Sequence, residues 1–294
     1  MDAWPVAGRG VGPCSQSLFS NLKRRLFSPF MSLLQHEPAV RLGCFLAVLL
    51  LMALWEWRRP RRSLTLSRFW RWPANLGMVI VDSLVLRWLL PVLAVGAALK
   101  AQNQGWGLFN RLETPFWFAC IASLLLLDLI IYTQHVIFHK VPLLWRLHRV
   151  HHSDTNIDVT TALRFHPFEI VLSMLLKIAV VVLLGAPAVA VLLFEIILNA
   201  TAMFNHSNVQ ISTGLESWLR LLIVTPDMHR VHHSIQRDET DSNFGFNLPW
   251  WDRLFGTYRA QPREGHTGMT IGLAIFRDRR SIGLHWLLLQ PFIK

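Results

Sequence analysis

Long apolar stretches separated by short polar segments form the pattern of the first two thirds of the chain. Four of these stretches are prominent: 42–55, 74–99, 116–132 and 168–198. A helix that crosses a bilayer needs about 20 predominantly apolar residues, so the second and third stretches predict spanning helices. The first stretch is shorter. With Trp55 and Trp57 as interfacial anchors, it predicts a helix that either crosses the membrane or lies in the interface.

The fourth stretch predicts a helical hairpin. As one straight helix, residues 168–198 would be about 46 Å long, well beyond the hydrocarbon core of about 30 Å. Gly185 and Pro187 interrupt the stretch near its middle, and both residue types break helices. The two ends of a hairpin face the same side of the membrane, so residues 133–167 and 205–294 share one compartment.

Basic residues identify that compartment as the cytoplasm. Residues 58–71 contain six arginines, and basic loops of this kind stay on the cytoplasmic side. Two spans separate this loop from residue 133, which places both on the same side. One conflict remains: if 42–55 crosses the membrane, Lys23, Arg24, Arg25 and Arg41 lie outside, against the rule. An interfacial first helix would remove the conflict.

Composition supports a membrane protein. Apolar residues make up 52% of the chain and mean hydropathy is +0.35, whereas charged residues make up 16%, against about 25% in soluble domains. Disordered chains have low hydrophobicity and are excluded. The net charge of +11 favours anionic lipid over nucleic acid as the partner, because the basic residues alternate with apolar spans. Cys14, Cys44 and Cys120 are far apart and form no thiol metal motif.

We therefore predict an all-α integral membrane protein with about four transmembrane or membrane-embedded helices and a cytoplasmic, His-rich helical cap.

Histidines are concentrated in three short motifs. Their members are His135 and His139; His148, His151 and His152; and His229, His232 and His233. Residues three and four apart share a helix face, so each motif predicts two or three imidazoles pointing in one direction. Imidazole is the commonest neutral metal ligand. Eight imidazoles exceed one tetrahedral site and suit two metals with about four ligands each. The isolated His36, His266 and His285 are interpreted as ordinary histidines.

These motifs, in this order between apolar stretches, resemble those of the fatty acid hydroxylase/sterol desaturase superfamily. Smaller features agree with that pattern: Asp128 and Tyr132 before the first motif, RFHPFE at 164–169, FNHSN at 204–208, TPDMHRVHHS at 225–234, NFG at 243–245 and WDRLFGTY at 251–258. The resemblance implies a catalytic domain over 74–260. The remaining segments are a basic, poorly structured segment at 1–40, a first hydrophobic helix and basic loop at 41–73, and a C-terminal segment at 261–294.

The resemblance also implies a metal centre and a reaction. It implies two iron ions, which zinc can replace in purified protein, and O₂ as co-substrate for hydroxylating or desaturating a lipid C–H bond. The implied ligands are His135, His139, His148, His151, His152, His166, His206, His229, His232 and His233. Asp128, seven residues before His135, is interpreted either as a carboxylate that holds an imidazole N–H or as a salt-bridged structural residue. Asp227, Asp238 and Asp241 flank the third motif, and they either orient its histidines or are simply solvated.

Partners and location follow from the same reasoning. The sequence shows no G-x-G-x-x-G motif and no haem or iron–sulfur motif, so we expect electrons from a separate ferredoxin, cytochrome b5 or reductase. The other expected partners are a sterol-like or fatty-acyl substrate and membrane lipids, and nucleic acid is not expected. The expected membrane is a bacterial inner membrane or the endoplasmic reticulum, with the histidine motifs on its cytoplasmic side.

Two alternatives from other functional classes remain open at this point. A membrane metal transporter would place paired polar residues near the middle of its spans, whereas these histidines lie at or beyond the span ends. A zinc-stabilised structural membrane protein would use closed four-ligand sites, and this chain has about twice that number of candidate ligands. Metal content and O₂ consumption distinguish all three.

Overall fold

Helices make up the computed structural model, which describes residues 32–293. Nine of them are used below: α1 Glu37–Arg58, α2 Arg68–Leu89, α3 Ala94–Asn103, α4 Phe116–Lys140, α5 Pro142–His152, α6 Pro167–Leu184, α7 Ala188–His206, α8 Thr213–Leu222 and α9 Pro226–His232. Shorter α-helices cover Leu108–Arg111, Arg237–Thr240, Trp250–Leu254, Gly265–Gly268 and Leu284–Leu289, and 3₁₀ turns cover Val159–Leu163, Arg279–Ser281 and Gln290–Phe292. Residues 1–31 of the predicted N-terminal segment, including Cys14, lie outside the described residues.

Five segments of the described chain are long and apolar enough to cross a membrane. They are Glu37–Arg58, Arg68–Arg111, Phe116–Lys140, Pro167–Leu184 and Ala188–His206. The prediction of an all-α, multi-pass membrane protein is confirmed, with five candidate spans.

The first helix is longer than its apolar stretch indicated. α1 has 22 residues and packs along α7. Arg41 near its start pairs with Glu195 of α7 at 2.7 Å, and Glu56 near its end accepts the Asn208 amide at 2.7 Å. The two helices therefore run parallel over most of their length. α1 thus lies along α7, and both helices are candidate membrane spans.

The second span is broken, where the sequence predicted one helix over 74–99. α2 ends at Leu89 and the chain resumes a helix at Ala94. Pro91 explains the break, because proline lacks the amide donor and disfavours helical geometry in the residue before it.

The predicted hairpin is confirmed. α6 ends at Gly185, whose φ of 66° is left-handed, and Pro187 precedes α7. Gly107 packs against this turn so closely that a Cβ on it would lie 2.1 Å from the Gly185 nitrogen. The hairpin brings the start of α6 and the end of α7 to the same end of the bundle, where the histidine motifs lie.

Candidate metal centre

Nine of the ten predicted ligands converge into two buried groups. The five-histidine cluster contains His135, His139, His148, His152 and His232, and the four-histidine cluster contains His151, His206, His229 and His233. Within each cluster, one nitrogen from every ring lies within 4.8 Å of those of the other members. All nine side chains are buried, with at most 3% of the residue surface exposed.

The second and third motifs each contribute to both clusters. α5 directs His148 and His152 into the five-histidine cluster and His151 into the four-histidine cluster. In the third motif, His229 and His233 enter the four-histidine cluster and His232 enters the five-histidine cluster. Each motif therefore presents two imidazoles in one direction, as predicted, whereas the third ring of the second and third motifs joins the other cluster. Residues i and i+4 share a face, but successive helical residues diverge by about 100°, which divides each motif between two centres.

Several ring nitrogens lie within hydrogen-bond distance of one another, but the rings have too few N–H donors for every contact to be a hydrogen bond. Nε2 of His135 lies 3.0 Å from Nε2 of His148, and Nε2 of His206 lies 3.0 Å from that of His151 and 2.9 Å from that of His229. A neutral imidazole has one N–H, so these contacts cannot all be hydrogen bonds. Imidazole nitrogens that bound a shared metal ion would be drawn together without any proton between them, and the close contacts observed fit such a role.

Ring nitrogens without hydrogen-bond partners also indicate that the clusters bind metal ions. In the two clusters, the buried ring nitrogens without a hydrogen-bond partner are His139 Nε2, His232 Nε2, His151 Nδ1, His229 Nδ1 and both nitrogens of His233. Leaving a buried polar atom unpaired costs about 1–3 kcal/mol. A donor set of buried, neutral imidazoles whose ring nitrogens converge fits metal ions, and each cluster could hold one.

Hydrogen bonds on the outer side of the rings fix their orientation. In five rings Nδ1 donates to an outer acceptor: His135 to Phe244 O (2.7 Å), His232 to Ser242 O (2.7 Å), His206 to Ala202 O (2.7 Å), His148 to Glu169 Oε1 (2.7 Å) and His139 to Asp241 Oδ1 (3.3 Å). These bonds set the tautomer that leaves Nε2 free to bind a metal.

The loop 242–246 that supplies two of these acceptors is itself held in place. The buried Asp252 accepts the amides of Phe244 and Gly245, each at 2.8 Å. Asn243 has a left-handed φ of 51°, and its amide side chain donates to Met228 O and Arg259 O. A Cβ at Gly245 would lie 2.8 Å from Asp252 Oδ2, so glycine is required here.

Burial keeps the imidazoles outside the spans neutral. Desolvation lowers the pKa of His148 to about 3. It also lowers the pKa of His151, His152, His229, His232 and His233 well below the usual value, with neighbouring imidazoles adding to the effect. Neutral imidazole is the form that binds metals.

Three of the predicted site residues have other contacts. His166 caps α6: its Nδ1 accepts the Phe168 amide at 3.2 Å and its Nε2 donates to Leu288 O at 3.2 Å, so it belongs to neither cluster. Asp128 accepts from Trp251 Nε1 at 2.8 Å and from the Leu248 amide at 3.3 Å. It anchors the 248–251 segment and holds no imidazole.

Asp227 is an ion-pair residue and orients no histidine of the clusters. It pairs with Arg61 at 3.1 Å and with Arg230. Its carboxylate also lies 3.5 Å from Nε2 of His266, one of the histidines interpreted as ordinary. Burial alone would raise the pKa of Asp227, but Arg230 and Arg61 lower it below its usual value.

Sequence reasoning missed Glu169 as a carboxylate that contacts the clusters, and it connected Asp241 with the third motif, whereas Asp241 contacts His139 of the first. A signal for Glu169 was available, since a carboxylate at the start of an apolar span is costly and usually functional. The contact of Asp241 with His139 joins residues 102 apart in the chain, which no local pattern reveals.

A large cavity leads from the five-histidine cluster into the bundle. Its volume is about 1130 Å³, and its lining includes His135 and His148 together with residues of α1, α2, α4, α6 and α7. α1 packs mainly on α7, whereas α2 packs on α6, and the cavity lies between these pairs. Typical ligand pockets measure about 300–1,000 Å³, so this one accommodates a lipid-sized molecule.

Comparison with known proteins gives consistent matches. The fatty acid hydroxylase family model matches residues 120–257, a range that contains all nine clustered histidines. The chain is 33% identical over 159 residues to the ornithine lipid hydroxylase OlsE of Rhizobium tropici, covering 54% of this chain and 47% of the relative. It is 29% identical over 170 residues to human alkylglycerol monooxygenase, covering 57% and 36%. It is 25% identical over 147 residues to rat cholesterol 25-hydroxylase, covering 49% and 48%. The chain thus spans half or less of the length of these relatives. No solved structure matches the chain.

Proposed function

The chain belongs to the fatty acid hydroxylase family, and on that premise we propose that it is a membrane oxidoreductase that uses O₂ to oxidise a C–H bond of a lipid at two histidine-bound iron ions. The observation that carries this proposal is the pair of buried histidine clusters at the inner end of a lipid-sized cavity.

The donor set supports iron and supports two ions. Imidazole ligands suit iron, zinc and copper, and two separate groups of five and four rings offer more ligands than one ion needs. Bound iron would activate O₂, and activated O₂ is needed to oxidise a carbon–hydrogen bond. The side chains of this protein would hold the ions, fix the imidazole tautomers from outside and exclude bulk water by burial.

The substrate proposal rests on the relatives and on the cavity. The relatives are named for an ornithine lipid, for alkylglycerol and for cholesterol, all of which have a long apolar part. We propose a substrate of that kind. Hydroxylation is preferred to desaturation because these relatives are named as hydroxylases or a monooxygenase. In hydroxylation one oxygen atom enters the C–H bond and the other becomes water, using two electrons and two protons. We expect a ferredoxin, a cytochrome b5 or a reductase to supply the electrons.

Metal analysis combined with turnover tests this function. Protein purified in detergent with iron retained should contain about two iron ions per chain. With lipid extract and a reduced ferredoxin, isotopically labelled O₂ should place one labelled oxygen atom in a lipid product. The variant His285→Ala, altered at an exposed residue outside both clusters, should behave as the wild type. A single tightly bound zinc ion and no labelled product would contradict the proposal.

We also propose that the clusters face the cytoplasm of a bacterial inner membrane or of the endoplasmic reticulum, which predicts a labelling pattern. In a background lacking the native cysteines, Asp278→Cys and Arg253→Cys lie on the cluster end of the bundle. Arg111→Cys lies beside the hairpin turn at the other end. An impermeant thiol reagent should reach the first two from the cytoplasm and the third from the opposite side. Reaction of all three from one side would exclude this topology.

A further inference from the structure

A buried carboxylate in the cavity has no partner in the described residues. Asp82 lies in α2, is 5% exposed and lines the cavity that contains His135 and His148. Its buried Oδ1 makes no hydrogen bond, and no lysine, arginine or histidine of the described chain forms an ion pair with it. Carboxylates inside a membrane are costly and are usually functional. Nothing in the proposed metal centre uses this one.

Two other acceptor oxygens without donors line the same cavity. Glu169 uses Oε1 to hold His148, and its buried Oε2 has no partner. Gln134 of α4 donates through Nε2 to Ser173 Oγ at 2.6 Å, and its Oε1 has no partner. Asp82 is near enough to Glu169 for their charges to interact. The wall beside the five-histidine cluster therefore carries three oxygens that can accept hydrogen bonds.

The cations deeper in the cavity do not satisfy these oxygens. Arg41 and Lys177 both pair with Glu195, at 2.7 and 2.8 Å, and Arg41 also pairs with Glu37 at 2.9 Å. The two positive charges of Arg41 and Lys177 are therefore balanced by the two negative charges of Glu37 and Glu195. The third cation of the lining, Arg87, forms no ion pair among the described residues, so Asp82 Oδ1 is open to a donor of the molecule that enters the cavity.

We propose that Asp82, together with Glu169 Oε2 and Gln134 Oε1, forms a subsite that binds an O–H or N–H donor of a lipid. Because the subsite shares the cavity wall with His135 and His148, the donor-bearing end of the lipid would lie beside the metal centre. Its apolar chain would extend along Leu86, Val92 and Met174, which line the cavity further on. The subsite thus selects amphipathic lipids with a hydroxyl or ammonium group and orients them head first. This inference deepens the proposed function and rests on it for the reaction that follows binding.

Binding measurements on purified, metal-loaded protein in nanodiscs test the subsite without turnover. Three probes of equal chain length are used: hexadecan-1-ol, hexadecylammonium and hexadecyl methyl ether. The wild type should bind the alcohol and the ammonium at least about tenfold more tightly than the ether, a difference of about 1.4 kcal/mol. Asp82→Leu should lose most of this preference, because only the acceptors of Glu169 and Gln134 remain. Asp82→Asn, which keeps an acceptor oxygen but loses the charge, should retain the preference for the alcohol and lose at least about tenfold in ammonium affinity.

The matched control is Ser83→Ala. Ser83 neighbours Asp82 and lines the same cavity, but its hydroxyl already bonds Val79 O of its own helix, so the wild-type preference should remain. A wild type without preference, or an Asp82→Leu protein that keeps it, overturns the proposal. If Asp82→Leu fails to fold, the ammonium affinity of Asp82→Asn decides, and an unchanged value overturns it. An inactive wild type with the expected binding preference would refute the oxygenase function and leave the subsite standing.

Discussion

Replacing His232 or His151 by alanine is expected to abolish lipid oxidation while the protein still accumulates in the membrane. Each substitution removes one ring from a different cluster. The loss should exceed the roughly 10–100-fold that follows from removing an outer hydrogen-bond partner of a metal ligand. Alanine has the best helix propensity, so α9 and α5 should still form. The measurement is turnover per mole of membrane-extracted protein, together with iron content.

His285→Ala and His166→Ala are the controls for this prediction. His285 is exposed and outside both clusters, so its loss should leave turnover near the wild-type value. His166 was a sequence-predicted ligand, but its two nitrogens bond backbone groups, so its loss should cost some stability and spare the iron. If His285→Ala were as inactive as His232→Ala, or if His232→Ala turned over near normally, the ligand assignment would have to be abandoned.

Local signals in the sequence were sufficient for most of the helices. The hairpin followed from Gly185 and Pro187, whose conformational preferences act on their own stretch of chain. The length of α1 could not be inferred in the same way. Arg41 and Glu56 gave the two ends of the helix a polar sequence, so its apolar stretch was shorter than the helix. In the structure Arg41 pairs with Glu195, and Glu56 accepts the Val159 and Asn208 amides. Such partners are more than a hundred residues away, and no pattern within one helix reveals them.

The candidate site was predictable in its members but not in its division. The spacing of the histidine motifs indicated shared helix faces, and nine of the rings do converge. Which ring joins which cluster depends on how α4, α5, α7 and α9 are placed around the two centres, and this is a tertiary property. The same limit applied to His166. A histidine followed by proline also describes a helix N-cap with proline at N1, and that local role is the one the structure shows.

The carboxylates outside the rings provide the second large expected effect. Glu169→Ala should lower the metal affinity of the five-histidine cluster by about 10–100-fold. Its carboxylate is buried and accepts from His148 Nδ1 at 2.7 Å, and His148 is its one hydrogen-bond partner among the described residues. Without it, His148 loses the acceptor that fixes its tautomer and its orientation toward the other rings. Competition with a calibrated chelator, measured on the detergent-purified protein, gives the affinity.

Asp241→Ala is the matched comparison, and it should have the smaller effect. Asp241 accepts from His139 Nδ1 at a longer distance, 3.3 Å, its side chain is 17% exposed, and it also pairs with Lys140 and Arg237. Water can replace an acceptor at such a position, whereas it cannot readily reach the apolar surroundings of Glu169. Equal losses in the two variants, or a larger loss in Asp241→Ala, would mean that burial of the outer carboxylate does not control how firmly the cluster holds its metal.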